Sequence, residues 1–565
     1  MTTPAPLRIG NASGFYGDRF SAMKEMLEGG PLDVLTGDYL AELTMLILGR
    51  DRMKDPASGY AKTFLRQMET CLGLALDKHV RVVVNAGGLN PAGLSTALGG
   101  LAKKLGLTAK IAHVEGDDLI ARADELGLGS PLTANAYLGG WGIAACLQAG
   151  ADVVITGRVT DASLVVGPAA AHFSWTRNDW NALAGASVAG HVIECGPQAT
   201  GGNYSFFTEI SARRPGFPLA EIHSDGTVVI TKHPGTGGAV TVETVTAQLL
   251  YEINGARYAG PDVTTRLDTI QLASDGVDRV RVTGVMGEPP PPTTKVCLNH
   301  LGGYRNQIEF VLTGLDIEEK AALVKAEVEA SLRRRPAELV WTLARTARAD
   351  ADVEEEASSL LRITVKDSDP AVVGRAFSSL GVEMALSSYP GFTLTSPPDD
   401  GKPFGVYRPA YVPATEVPHV AVLPDGTRVA IPATAETLVL DELMPEETAA
   451  LLSAGPTRKV PLGSIAGARS GDKGGIANIG VWARNDTAWD WLSRWLTIDR
   501  LRTLLPETSA FPIARHLLPR LRGMNFVVDG MLGDGVASST RFDAQGKALG
   551  EWLRSRLVDI PEALL

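Results

Sequence analysis

Four side chains in the first two hundred residues, Asp38, Asp161, Glu194 and His191, are of the types that move protons, and each follows or flanks an apolar run. Proton transfer needs a carboxyl or imidazole held beside the reacting group, with a pKa set by its surroundings. The densest polar cluster is Gly157-Arg-Val-Thr-Asp161-Ala-Ser163, directly after the apolar run 152–156. Gly157 lets backbone approach a ligand, Arg158 offers a cation, Asp161 a carboxylate and Ser163 a hydroxyl. The same residues also suit an ordinary strand-to-helix turn in which Asp161 or Ser163 caps the helix. Farther on, AGHVIECGPQATGGN (189–203) puts His191 and Glu194 beside Cys195. That trio permits acid/base or nucleophilic chemistry. Thiol attack requires a lowered pKa; the alternative is a buried Cys195, with His191 bonded to a loop carbonyl.

These groups are remote in sequence, so the elements between them must bring them together. Five apolar runs (7–9, 32–35, 80–84, 109–114 and 152–156) each end in glycine or polar residues and are separated by helical lengths. That is the βα pattern of a parallel sheet, whose strands read as near-continuous apolar runs. Right-handed crossovers place all the loops that follow the strands on one edge, where ligands of open α/β sheets bind. Asp18, Arg19, Asp38, Asn85, Asn90, Arg158 and Asp161 are therefore expected to converge. The same logic makes Gly14, Asp18 and Arg19 from the first loop, Gly88 and Asn90 from the third, and Gly157 and Ser163 from the fifth substrate-binding candidates. The glycine-rich first loop has neither GxGxxG nor GK[ST] spacing, which argues against a dinucleotide fingerprint and a P-loop. Asn203 joins the candidates from the GGN turn. Arg469 and Lys473, in ARSGDKGG, suit a phosphate or carboxylate or simply a charged hairpin turn.

Between these landmarks, 133–149 reads as a glycine-containing helix. Past residue 205 the texture is mixed: an Asp-Gly turn at 225–226 marks a hairpin, and 241–246 alternates in the manner of a strand. The prolines at 289–292 suit a stiff connector, 316–335 an amphipathic helix, and the proline-rich 396–413 an irregular binding loop or interface arm. The expected organisation is α/β: an N-terminal parallel α/β portion (1–204), a mixed continuation (205–440), a linker (441–459) and a small C-terminal α+β domain (460–565).

A net charge of −11 argues against general nucleic-acid binding. Four dispersed cysteines (Cys71, Cys146, Cys195, Cys297) without CxxC give neither a zinc site nor a disulfide framework. No apolar run is long enough to span a membrane. The first residues, MTTPAPLRIG, lack signal-peptide features, so cytoplasmic residence is expected.

The set GNASGFYGDR, LTGDYLAELTM, NAGGLNP, ITGRVTDAS and ECGPQATGGN resembles the acyclic terpene utilisation family AtuA, and ARSGDKGGIANIGV resembles the smaller ferredoxin-like domain that accompanies it. The resemblance implies a bacterial catabolic setting, with acyclic isoprenoids such as citronellol or geraniol processed beside acyl-CoA carboxylases. "Ferredoxin-like" here implies a fold, and the dispersed cysteines do not suggest an iron–sulfur cluster. The expectation is an enzyme acting on a carboxylated or CoA-linked aliphatic intermediate by hydration, dehydration or lyase chemistry. Asp38, Asp161, Glu194 or His191 would move protons, and Arg19, Arg158, Arg469 or Lys473 would hold anionic groups. No cofactor is expected beyond a CoA-linked substrate. Two alternatives stand beside this reading: a non-catalytic assembly partner of an acyl-CoA carboxylase, and a metal-assisted lyase with a divalent ion on Asp38, Asp161 and Glu194. A homo-oligomer is expected, since enzymes of this kind commonly form symmetric assemblies.

Overall fold

The computed structural model describes residues 5–211, 213–441 and 455–565. The chain divides into two compact units, one of residues 1–299, 407–536 and 543–565, the other of 300–406 and 537–542. Residues 205–299 thus fold with the N-terminal portion. Most of the expected linker, 442–454, lies outside the described residues; Thr457–Pro461 is already a strand.

The larger unit is built on strands β1 (Leu7–Asn11), β2 (Val34–Gly37), β3 (Arg81–Val84), β4 (Ile111–Glu115), β5 (Thr133–Ala136), β6 (Val153–Thr156), β7 (Pro218–Ile222) and β8 (Val228–Lys232). Five of them, in the order β1-β2-β3-β6-β4, are mutually parallel and are the five apolar runs of the sequence. Successive residues serve opposite faces: Val83 and Val154 enter one apolar core, and Val82, Val84, Val153 and Ile155 the other. Burial on both faces explains why these strands are apolar throughout rather than alternating. Antiparallel strands extend both edges, with β7 and β8 beside β1, and Val420–Val422 beside β4. The 225–226 turn joins β7 to β8 as the expected hairpin.

Within the same unit, the C-terminal residues form a four-stranded antiparallel sheet of Ala466–Lys473, Ile476–Ala483, Gly523–Val528 and Ile513–Leu518. Helices Asp486–Trp495, Ile498–Leu504 and Leu549–Ser555 contribute to its core. This is the small α+β domain anticipated from sequence. In the other unit, Glu338–Ala344, Ser358–Asp367 and residues 300–313 of the long strand Thr293–Thr313 form an antiparallel sheet whose core is shared with helices Ile317–Ser331 and Arg375–Glu383.

Four local expectations are corrected. Residues 133–149 are not one helix: β5 pairs with Thr293–Thr313, and the helix begins only at Trp141, after Gly139 and Gly140. Residues 241–246 open a helix, Val242–Leu249, because Thr241 and Thr244 each accept the other's backbone N–H. This reciprocal cap outweighs the alternation. The RSGDK stretch is strand; the hairpin turn is Gly474–Gly475, with Gly474 at φ +65°. Strand spacing then puts Arg469, Gly471 and Lys473 on one face. Lastly, two thirds of the proline-rich 396–413 is the strand Lys402–Pro413.

The helix Trp180–Ile193 carries Glu194 at its end and is buried from Leu183 onward. It lies directly on the β7–β8 turn, so a Cβ added at Gly185 would fall 2.0 Å from the Gly226 carbonyl oxygen. Backbone meets backbone there, and no rotamer change relieves it. Gly99, in the helix Pro91–Lys104, faces open space. Gly185→Ala is expected to lower stability by roughly 1–3 kcal/mol, whereas Gly99→Ala should raise it by up to about 1 kcal/mol. Urea unfolding of the two variants checks both signs.

Candidate functional site

The carboxyl ends of β2, β3, β4 and β6 supply one connected set of polar groups. Asn85, completely buried after β3, donates from Nδ2 to Asp38 Oδ1 (2.6 Å) and accepts the Tyr39 N–H at Oδ1 (2.7 Å). Arg158, buried after β6, donates to the Leu40 carbonyl (2.9 Å) and to Asp161 Oδ1 (3.0 Å), with its guanidinium over the Tyr137 ring. Asp117, after β4, accepts the Arg158 N–H and Asn135 Nδ2. From β1, Asn11 donates to the carbonyls of Ile193 and Glu194, tying the end of the helix Trp180–Ile193 to the same edge. Asp38, Asn85, Arg158 and Asp161 therefore do meet, although more than a hundred residues separate the first from the last.

Beside them lies a cavity of about 480 Å³, lined by Asp161, Glu252, Tyr258, Lys295 and Lys473 on its polar side. Pro291, Pro292, Tyr411, Val439 and Leu440 are among its apolar walls. Lys473 Nζ sits 5.5 Å from the centre of the Tyr258 ring. Lys295 lies over both Tyr137 (4.9 Å) and Tyr407 (5.6 Å). The prolines that sequence reading takes for a connector are thus cavity wall.

Electrostatics separate the titratable groups into two layers. Asp38 and Glu194 are buried and do not line the cavity. Burial first, and the charge of Asp161 second, push both carboxyls well above the ordinary range. His191, 3.3 Å from Glu194 and packed on Tyr258, is driven down to about 4 by burial and then by the charge of Lys473, so it is a neutral ring. On the cavity side, burial works against the charge of Lys473, but Tyr258, Glu252, Glu194 and Asp161 together raise its pKa and keep it an ammonium. Burial, with Glu252 and Glu194 nearby, pushes the Cys195 thiol upward, the reverse of what a nucleophile needs.

The remaining sequence candidates are placed as follows. Gly14 packs on the Cys195 backbone and donates its N–H to Asp18, and Arg19 is held by Glu25, the Pro215 carbonyl and the Phe217 ring. Gly88 takes φ +54° below Leu48, and Asn90 caps the helix Pro91–Lys104. Ser163 bonds Thr160 and Asp262. Asn203 is exposed at φ +57°. Arg469 lies over the Tyr251 ring and bonds Gln198. Of the sixteen positions singled out in the sequence, only Asp161 and Lys473 line the cavity. Sequence reading missed Tyr137, Glu252, Tyr258 and Lys295. The run YEINGARY (251–258) is rich in polar aromatics, but nothing in its spacing marks a site. Among the described residues, no three His, Cys, Asp or Glu side chains converge as a metal-binding set.

Gly157 and Asp117 govern how Arg158 is presented. A Cβ at Gly157 would lie 2.4 Å from the Asp117 carboxylate, so only glycine leaves that carboxylate its place. Burial pushes the Asp117 carboxyl from 3.8 up to about 7. Between those values the folded protein holds a proton that the unfolded chain has lost, so this group's contribution to stability declines as pH rises through that window. In Asp117→Asn the amide oxygen can still accept both hydrogen bonds, and no charge is buried. The variant should match the parent near pH 4 and exceed it near pH 8 by on the order of 2–4 kcal/mol. Chemical unfolding across that range checks the crossing; parallel pH profiles would contradict it.

Compared with known families, residues 7–423 match the model described as acyclic terpene utilisation family protein AtuA. Residues 460–559 match the AtuA ferredoxin-like domain. No curated protein matches the chain. The first match covers well over half of the sequence and the second coincides with the small α+β domain, so this chain belongs to the AtuA family of acyclic terpene utilisation.

Proposed function

We infer that this chain is an enzyme of acyclic terpene utilisation that hydrates, dehydrates or cleaves a carboxylated or CoA-linked aliphatic intermediate. The observation that carries the reading is the pairing of Asp161 and Lys473 in one cavity with apolar walls. Among the described residues no carboxylate lies within ion-pairing distance of Lys473, which leaves its ammonium for an anionic or carbonyl oxygen. A cavity of about 480 Å³ is of the size that encloses a small ligand.

Stated for hydration of an enoyl thioester, Asp161 takes a proton from water as the water oxygen adds to the β-carbon. Lys473 holds the thioester oxygen, where negative charge builds, and Asp161 then passes the proton it took from water to the α-carbon, which restores its carboxylate. Dehydration is the same path reversed. A charge developing beside a fixed ammonium in a site shielded from water is stabilised far more than in solution. Arg158 fixes the Asp161 carboxylate through the 3.0 Å contact. Asp38, Glu194 and His191 act on the site from behind, through their effect on Asp161 and Lys473, without touching ligand.

Purified protein incubated with branched and linear enoyl and hydroxyacyl thioesters should give products differing by one water, read by mass spectrometry. Asp161→Asn and Lys473→Met should each lower turnover about 100-fold or more, while Gly99→Ala leaves it unchanged. Absence of turnover across the panel, or full activity in Asp161→Asn, would overturn the reading.

A further inference from the structure

The main cavity shares the walls Tyr137, Pro261, Pro291 and Thr294 with a second, smaller chamber of about 50 Å³. Four polar side chains line it, Asp262, Trp141, Arg177 and His419, and each keeps hydrogen-bonding capacity that no described neighbour takes up. Asp262 is 4% exposed; its Oδ2 accepts the Gly140 N–H (2.8 Å) and the Ser163 hydroxyl (3.1 Å), while its Oδ1 is buried without a hydrogen-bond partner. Trp141 Nε1 and His419 Nε2 are likewise buried, and among the described residues none of these three atoms has a hydrogen-bond partner. Arg177 lies over the Trp141 ring, bonds only the Thr434 hydroxyl, and among the described residues has no carboxylate within ion-pairing distance. Burial lowers the His419 pKa to about 4, so its ring is neutral and either donates or accepts.

Leaving several buried polar atoms unpaired costs stability, because each loses its water without gaining a partner. Convergence of an acceptor, two donors and an ambivalent ring on one chamber is the pattern of a site whose partner is a ligand group or water. The chamber is also linked to the main site: Ser163 bonds Asp262 on one side and Thr160, a wall of the main cavity, on the other (2.5 Å).

We propose that this chamber is a second polar subsite, which takes a hydroxyl group borne by the aliphatic chain whose reacting end lies at Asp161 and Lys473. A hydroxyl donates to Asp262 Oδ1 and accepts from Trp141 Nε1–H or Arg177, satisfying both kinds of group at once. A second carboxylate would place its oxygens against that of Asp262. A plain methyl would leave Asp262 Oδ1, Trp141 Nε1 and His419 Nε2 without partners. The substrate class is thus an acyl chain oxygenated away from its reacting end, an inference that rests on the main cavity being the acyl site. It also makes Asp262 a specificity determinant, because a site built to bond a hydroxyl strongly rejects the analogue that lacks it.

The test is calorimetric binding of three acyl thioesters of equal length that end in methyl, hydroxyl or carboxylate. The parent protein should bind the hydroxyl-ended chain at least about tenfold more tightly than the methyl-ended one. In Asp262→Asn the amide oxygen remains with Gly140 and Ser163, which turns the NH2 toward the chamber and replaces its acceptor by a donor. Preference should then move to the carboxylate-ended chain. Arg177→Met should reduce affinity for the hydroxyl-ended chain about tenfold and leave the methyl-ended chain unaffected. Equal affinity for methyl and hydroxyl ends, or a parental preference for carboxylate, overturns the subsite and leaves the main cavity as an acyl site. Failure of all three chains to bind removes the acyl reading itself, and the subsite with it.

Discussion

The parallel sheet ends in carboxylates that water does not reach, and the rest of the site follows from how they are held. Asp38 and Asp117 are buried beyond the ends of β2 and β4, and Glu194 is pinned to the same edge through Asn11. Isolated buried carboxylates are expensive, and two of the three are given donors: Asn85 for Asp38, and Asn135 with the Arg158 N–H for Asp117. Arg158 is the buried cation among them, and it reaches the Leu40 carbonyl, Asp161 and the Tyr137 face at once. Even so, burial holds Asp38 and Glu194 toward their protonated forms. The negative charge presented to the cavity is consequently carried by the outer groups, Asp161 and Glu252.

That layering gives the neutral inner groups a physical role. Asp38 and Glu194, their pKa values pushed upward by burial, form with the neutral His191 a polar backing of lowered negative charge behind Asp161 and Lys473. Were all the inner carboxyls ionised, their mutual repulsion in a medium of low dielectric would be large. A proton taken up by Asp161 during a reaction would in turn relieve its pressure on Asp38 and Glu194, since its charge is what raises them after burial itself.

The parallel core was readable because burial on both faces writes a continuous apolar run, and glycine-bounded ends then place the following loops on one edge. The meeting of Asp38, Asn85, Arg158 and Asp161 follows from that geometry alone. What the sequence did not disclose is which polar residues face a ligand and which serve the fold. Asn90 looks like Asn85 in the same loop, yet one caps a helix and the other holds a carboxylate. Tyr258 enters the site from the short strand Arg257–Ala259, which pairs with the adjacent Thr264–Arg266, and Lys295 from the long strand Thr293–Thr313, whose partner β5 is remote in sequence; in neither does the local pattern mark a site. The errors at 133–149 and 241–246 have different roots. Pairing with a distant strand won in the first, and a cap made by two threonines won in the second.

Lys473 carries this reasoning to the domain that bears it. The small α+β sheet does more than adjoin the larger fold. Asn478 accepts the Glu252 N–H at 2.7 Å and donates to the Leu250 carbonyl at 3.0 Å, while Asn525 donates to the Ile253 carbonyl at 2.9 Å. Both asparagines are completely buried, so the segment 250–253 is fixed by backbone bonds to the second sheet. From that segment Glu252 reaches the cavity, and Tyr258 follows a few residues on. One strand, Ala466–Lys473, then supplies both the residue that abuts Tyr251, through Gly471, and the ammonium that faces Asp161. Either sheet alone would leave its half of the charges uncompensated: the carboxylates without Lys473, or Lys473 without the carboxylates that keep it charged. The two domains are joined on one chain around a single electrostatic arrangement, which neither completes by itself.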